Sequence, residues 1–150
     1  MSQGKMRLGR MASWQRKSSY FVFSATLATG LVWFVLGDIF EYMPPQLKIW
    51  WIAHGLTGLL SIIWIGAAMP QHIVVAWRSH RNRWGGSIAT LFIAILLIST
   101  ALLFYGPELV RENVRWIHIG LGVSLLIVFP WHIIRGRKSG GRLKSFIKSN

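Results

Sequence analysis

Four of the five histidines stand inside apolar runs, and they occupy only two of those runs. His54 lies in "WIAHGLTGLL", and His72 in "MPQHIVVAWR" closes the same run; His118 and His132 bracket "HIGLGVSLLIVFPWH". An ionisable side chain in hydrocarbon is costly, and where one persists it commonly serves a pathway, a partner or a ligand. Neutral imidazole binds iron well, and two imidazoles on opposite faces of one iron leave no open coordination position. That arrangement suits electron transfer rather than oxygen chemistry. His80, in "RSHRNR", has no counterpart and reads as a solvated loop residue.

Spacing tests whether each run presents its histidines together. At about 100° per residue, the 18-residue step from His54 to His72 makes about five full turns. The 14-residue step from His118 to His132 falls about 40° short of four turns. Each run is therefore expected to carry its two histidines on one stripe, separated along the axis by about 27 Å and 21 Å. Pro70 and Pro130 each stand two residues before a histidine. They remove the backbone bonds to the carbonyls of Gly66 and Leu126, so the last turn has freedom to aim its imidazole inward. The expected couples are His54 with His118 in one leaflet and His72 with His132 in the other. Each would hold one b-type haem through two histidine ligands.

The absence of cysteine excludes thiolate metal sites, cysteine-held iron–sulfur clusters and covalent haem attachment. A cofactor here is held non-covalently, by nitrogen or oxygen. Gly55 and Gly58 follow His54, and Gly120 and Gly122 follow His118. Small residues are what the edge of a flat macrocycle needs against a helix backbone, which makes Gly58 and Gly122 candidate cofactor contacts. Ordinary small-residue packing of membrane helices gives the same pattern. Haem propionates are anionic, and Arg115 near His118 and Arg135 near His132 are candidate partners for them. Lys48 and Arg78 are placed similarly near His54 and His72, and flanking anchors would look the same.

The elements that must position these residues are legible in the composition. The chain has 150 residues, 53% of them hydrophobic and 14% charged, with a mean hydropathy of +0.44. Apolar runs at about 20–40, 47–77, 86–105 and 114–134 each meet the roughly 20 residues needed to cross a hydrocarbon core. Without water to satisfy the backbone, such runs must be helices. The connections "GDIFEYMPPQLK", "RSHRNRWGG" and "GPELVRENVR" are short and turn-rich, which points to an up-down-up-down bundle. The first run is longer than a signal-peptide core and has no small-x-small cleavage site, so it reads as a retained span.

The fold class expected is all-α, an integral membrane four-helix bundle. A net charge of +13 would suggest nucleic acid in a soluble protein, but here it is a matter of orientation. Fourteen of the seventeen lysines and arginines fall in the N-terminal tail, the second connection and the C-terminal tail. All four acids, Asp38, Glu41, Glu108 and Glu112, fall on the other side. Both termini are thus expected in the cytoplasm, with basic tails at 1–19 and 136–150 flanking a haem-binding domain at 20–135. The tails are expected to touch anionic lipid, and no nucleic-acid partner is expected. Trp50, Trp51, Trp77, Trp84, Trp116 and Trp131 fall near span ends, where indole rings anchor at the interface.

At this point the chain resembles the four-helix di-haem cytochrome b subunits of respiratory membrane complexes, such as formate dehydrogenases and nickel–iron hydrogenases. The likeness is carried by "WIHIGLGVSLLIVFPWH", with paired histidines on the last helix, and by "WIAHGLTGLL" on the second. It covers about residues 20–135. Family members often carry a haem ligand on the first helix, whereas 20–40 here holds no histidine, so His72 would take that place. The resemblance implies electron transfer between a quinone pool and a partner redox protein, a dehydrogenase or reductase subunit or a redox carrier. It also implies a multi-pass protein of the bacterial inner membrane. The loops are too short to build a substrate-oxidising domain, which fits an electron-transfer subunit rather than a stand-alone enzyme.

Two other readings use the same histidines. A scaffold subunit would use them only for hydrogen bonds between helices. A metal or proton transporter would use them with intramembrane carboxylates, yet spans 47–77, 86–105 and 114–134 contain none, and Asp38 stands at a span end.

Overall fold

The structure is a computed structural model that describes residues 11–42, 45, 47–78 and 82–148, and the side chains of these up to Lys138 except Gln71. His80 and the basic residues Lys5, Arg7, Arg10 and Arg81 lie outside that set. The described residues are helical with no strand. Helix α1 spans Ser13–Phe34 and continues as a π turn over Val35–Ile39. Helix α2 spans Lys48–Ala68, passes through a π segment at Met69–Val74 and ends in the short α3, Val75–Arg78. Helix α4 spans Arg83–Tyr105 and α5 runs from Glu108 to Lys148. Four helices are long and apolar enough to cross a membrane, over Ser13–Ile39, Lys48–Ala68, Arg83–Tyr105 and Glu108–Lys138.

The chain divides into two compact units, Met1–Arg81 and Asn82–Asn150, each a helical hairpin. In the first, Gln15 donates to the Ala67 carbonyl, Thr26 meets Ser61, and a Cβ built at Gly37 would lie 3.3 Å from Leu47. Ascending α1 therefore meets descending α2, and the two helices run antiparallel. The second hairpin shows the same order, with Gly85 meeting His132 and Ser99 meeting His118 across α4 and α5.

What the hairpins bury is small or polar. Ser19, Ser61 and Ser99 are buried, as are Gly85, Ala89, Val22 and Val114. Large apolar side chains face outward instead: Phe21 and Ile127 are each 76% exposed. A soluble protein would hide these side chains. A chain in lipid gains nothing from hiding them, and small residues let its helix backbones approach closely.

Pro70 and Pro130 are not accommodated alike. Pro70 lies within the π segment, where the missing N–H and the ring clash with the preceding turn are absorbed by a wider helix. Pro130 lies within α5, whose helix runs on without a break. The regular 100° increment therefore does not carry from His54 to His72, because the π segment lies between them. The other π turn, at Val35–Ile39, shows its register in the Phe40 N–H, which bonds the Val35 carbonyl at 3.0 Å.

The third connection is shorter than the sequence suggests. "GPELVRENVR" contributes only Gly106 and Pro107 to the turn, and Glu108 already begins α5. Proline just ahead of a first turn and an acid within it both favour helix initiation there.

Candidate functional site

His54 is on α2, half-buried, with its ring against α1. Its Nδ1 lies 3.0 Å from the Thr26 carbonyl oxygen and 3.5 Å from Thr29 Oγ1. A carbonyl only accepts, so Nδ1 carries the proton and donates it; in neutral imidazole Nε2 then keeps a lone pair. Gly30 makes this approach possible. A Cβ at that position would stand 2.7 Å from Cε1 and 2.9 Å from Nδ1 of the ring. Trp33 flanks the imidazole with ring centroids 6.0 Å apart.

Polar groups continue along the same seam. Thr29 Oγ1 donates to the Ala25 carbonyl at 2.8 Å and lies 3.3 Å from Thr57 Oγ1. Thr26 Oγ1 lies 2.9 Å from Ser61 Oγ. Thr57 Oγ1 likewise donates within its own helix, to the Ala53 carbonyl at 2.8 Å, so the bond that joins the two helices here is Thr26–Ser61, worth about 0.6 kcal/mol in hydrocarbon.

His118 repeats the device in the second hairpin. Its Nδ1 is 2.8 Å from Ser99 Oγ, and Ser99, 3% exposed, donates its own proton to the Leu96 carbonyl at 2.8 Å. With the hydroxyl proton committed there, Ser99 Oγ accepts and His118 Nδ1 donates. His132 donates Nδ1–H to the Gly85 carbonyl at 3.0 Å. Gly85 is buried beneath the Asn82 side chain, so that a Cβ there would stand 2.8 Å from Asn82 Oδ1. Asn82 itself holds a left-handed backbone, φ 48°, at the start of α4.

Three imidazoles in two hairpins thus share one protonation pattern, with Nδ1 donating to the partner helix. His72 lies in the π segment and is half-buried. Each hairpin carries one histidine toward its connecting turn, His54 or His118, and one toward its open end, His72 or His132. The expected couples each take one histidine from either hairpin. Among the described residues no three histidine or acidic side chains gather as a metal site, whereas axial haem ligation takes two.

The other expected site residues fall as follows. A Cβ built at Gly55, Gly58, Gly120 or Gly122 would meet no atom of its own hairpin within 4 Å. These glycines are not the contact surface of α1 against α2 or of α4 against α5. The Arg115 guanidinium lies 5.0 Å over the Trp116 ring, and that of Arg135 lies 5.1 Å over Trp131, both within cation–π range.

Sequence reasoning did not single out Thr26, Thr29, Gly30, Asn82, Gly85 and Ser99. A signal for them exists. Thr26, Thr29 and Ser99 are polar residues in apolar runs, at depths that an antiparallel neighbour's histidine can reach.

Compared with protein-family models, with curated proteins and with solved structures, the chain matches none. What fold and site define is an all-helical protein with four helices able to cross a membrane, carrying histidines whose ring orientation is fixed by hydrogen bonds.

Proposed function

We propose that the chain is a membrane-embedded b-type cytochrome that conducts electrons between a quinone pool and a partner redox protein. In this reading the four helices form an up-down-up-down bundle in the bacterial inner membrane with both termini cytoplasmic. His54 and His118 hold one haem and His72 and His132 the other. The pairing comes from the sequence, in which each couple sits at a corresponding end of its run. Bound there, a bis-histidine haem supplies one-electron transfer without an open coordination position.

The observation that carries the reading is the shared hydrogen-bond pattern of His54, His118 and His132. A ligand histidine needs one nitrogen to donate to an outer partner, which fixes the tautomer and ring plane and raises the basicity of the other. Thr26, Ser99 and Gly85 supply those outer partners. The residues fit a haem in a second respect, since Gly58 and Gly122 leave their helix surface open within each hairpin. Arg115 and Arg135 lie within one turn of a histidine and would offer charge to a propionate.

The scaffold reading draws on the same hydrogen bonds, because they also fasten each hairpin. It uses only the Nδ1 side of each ring, whereas the cytochrome uses both nitrogens. Extracting the pigment from purified protein and counting haem per polypeptide separates the two. Two haems per chain are expected, and a pigment-free preparation with intact helicity would reject the proposal.

A further inference from the structure

Away from the histidines, an open groove of about 460 Å³ runs between α1 and α2. Lys17, Ser18, Phe21 and Val22 line it from α1, and Leu60 and Trp64 line it from α2. The α1 residues are spaced as one helix face, and the charge and hydroxyl sit at one end of that face. Lys17 is the charged member of the lining, and a stretch without charge runs from just after it to Gly37.

An occupant matching these features has a long apolar part and a negative head at the level of Lys17. We propose that the groove seats one anionic phospholipid. Its acyl chain lies along Phe21, Val22, Leu60 and Trp64, with its phosphate against the Lys17 ammonium. Basic grooves between membrane helices select anionic head groups in this way, since the cation adds attraction that a zwitterionic lipid cannot match. A quinone would suit the apolar floor but carries no charge for Lys17. The proposal does not depend on haem, because the groove belongs wholly to the first hairpin.

The test is native mass spectrometry of the full chain in detergent, after incubation with equal amounts of phosphatidylglycerol and phosphatidylcholine of matched acyl chains. Wild-type protein is expected to retain one phosphatidylglycerol in preference. Lys17→Gln should lower that retention about five-fold, the contribution of a single basic residue near a membrane surface, while Lys17→Arg keeps it. Leu60→Trp, which fills the floor, should lower retention of both lipids. Equal retention of the two lipids by the wild type would overturn the proposal. So would Lys17→Gln at the wild-type level, Lys17→Arg falling as far as Lys17→Gln, or a quinone retained in place of phospholipid.

Discussion

The backbone of α1 at Gly30 lies directly against the imidazole of His54, so close that a Cβ on Gly30 would stand 2.7 Å from the ring Cε1. Glycine in a helix is ordinarily a weakness, worth about 1 kcal/mol against alanine. Here it admits the ring that donates to the Thr26 carbonyl. Helix propensity and close approach make opposite forecasts for one substitution, which gives the arrangement a clear test.

Gly30→Ala should destabilise the protein despite its better propensity. Overpacking costs about 1–3 kcal/mol, enough to outweigh the propensity gain, and the ring must turn away from Thr26 to relieve it. Gly66→Ala, where a Cβ meets nothing within 4 Å, is the control and should be neutral or slightly stabilising. Thermal unfolding followed by circular dichroism distinguishes them. Equal midpoints for both variants would contradict the close approach.

Ser99→Ala removes the acceptor of His118 Nδ1–H in a buried setting. An unsatisfied donor there costs about 1–3 kcal/mol. If His118 is a ligand, loss of its outer partner should also weaken haem retention about 10- to 100-fold. Ser99→Thr, which keeps the hydroxyl, should restore most of both. Haem content after dialysis against apomyoglobin reports the second effect, and unchanged retention in Ser99→Ala would argue against ligation.

Thr26→Val should do far less, although Thr26 touches His54. The acceptor for His54 is the backbone carbonyl of Thr26, which any side chain leaves in place. What is lost is the Oγ1 bond to Ser61, worth about 0.6 kcal/mol in a membrane, and the local one to the Val22 carbonyl of the same helix. A small fall in the unfolding midpoint with an unchanged haem spectrum is the expected result. A changed spectrum would place the side chain, not the backbone, in control of the ring.

Asn82 opens α4 in the left-handed region, φ 48°, and its side chain packs over Gly85 beside the carbonyl that receives His132. Asn82→Gly should preserve the backbone at little cost. Asn82→Val should cost about 1–2 kcal/mol, because a β-branched residue resists that conformation. Unfolding midpoints of the two variants check the ordering.

How much of this was legible in the sequence differs from one level to the next. The four apolar helices follow from run length alone, since hydrocarbon leaves the backbone no other choice. The four histidines of the apolar runs stood out because ionisable groups are rare in such runs. Their hydrogen-bond partners did not. Two of the partners, at Thr26 and Gly85, are backbone carbonyls, which every residue possesses and no side-chain type announces. The π segment at Pro70 was equally out of reach, because Pro130 in a similar "P-x-H" setting leaves α5 unbroken. A proline marks where the bonding must change, while the surroundings decide how. The boundary at Glu108 was missed because polar letters after "GP" read as a loop, though the same letters make a good first helical turn.

The central claim is that these histidines ligate haem, and the reduced-minus-oxidised visible spectrum of the purified chain tests it most directly. The wild type is expected to give sharp b-type bands, His118→Ala to lose about half of that signal, and His80→Ala to keep all of it. A colourless wild-type protein that remains helical, or a His118→Ala spectrum identical to the wild type, would contradict it.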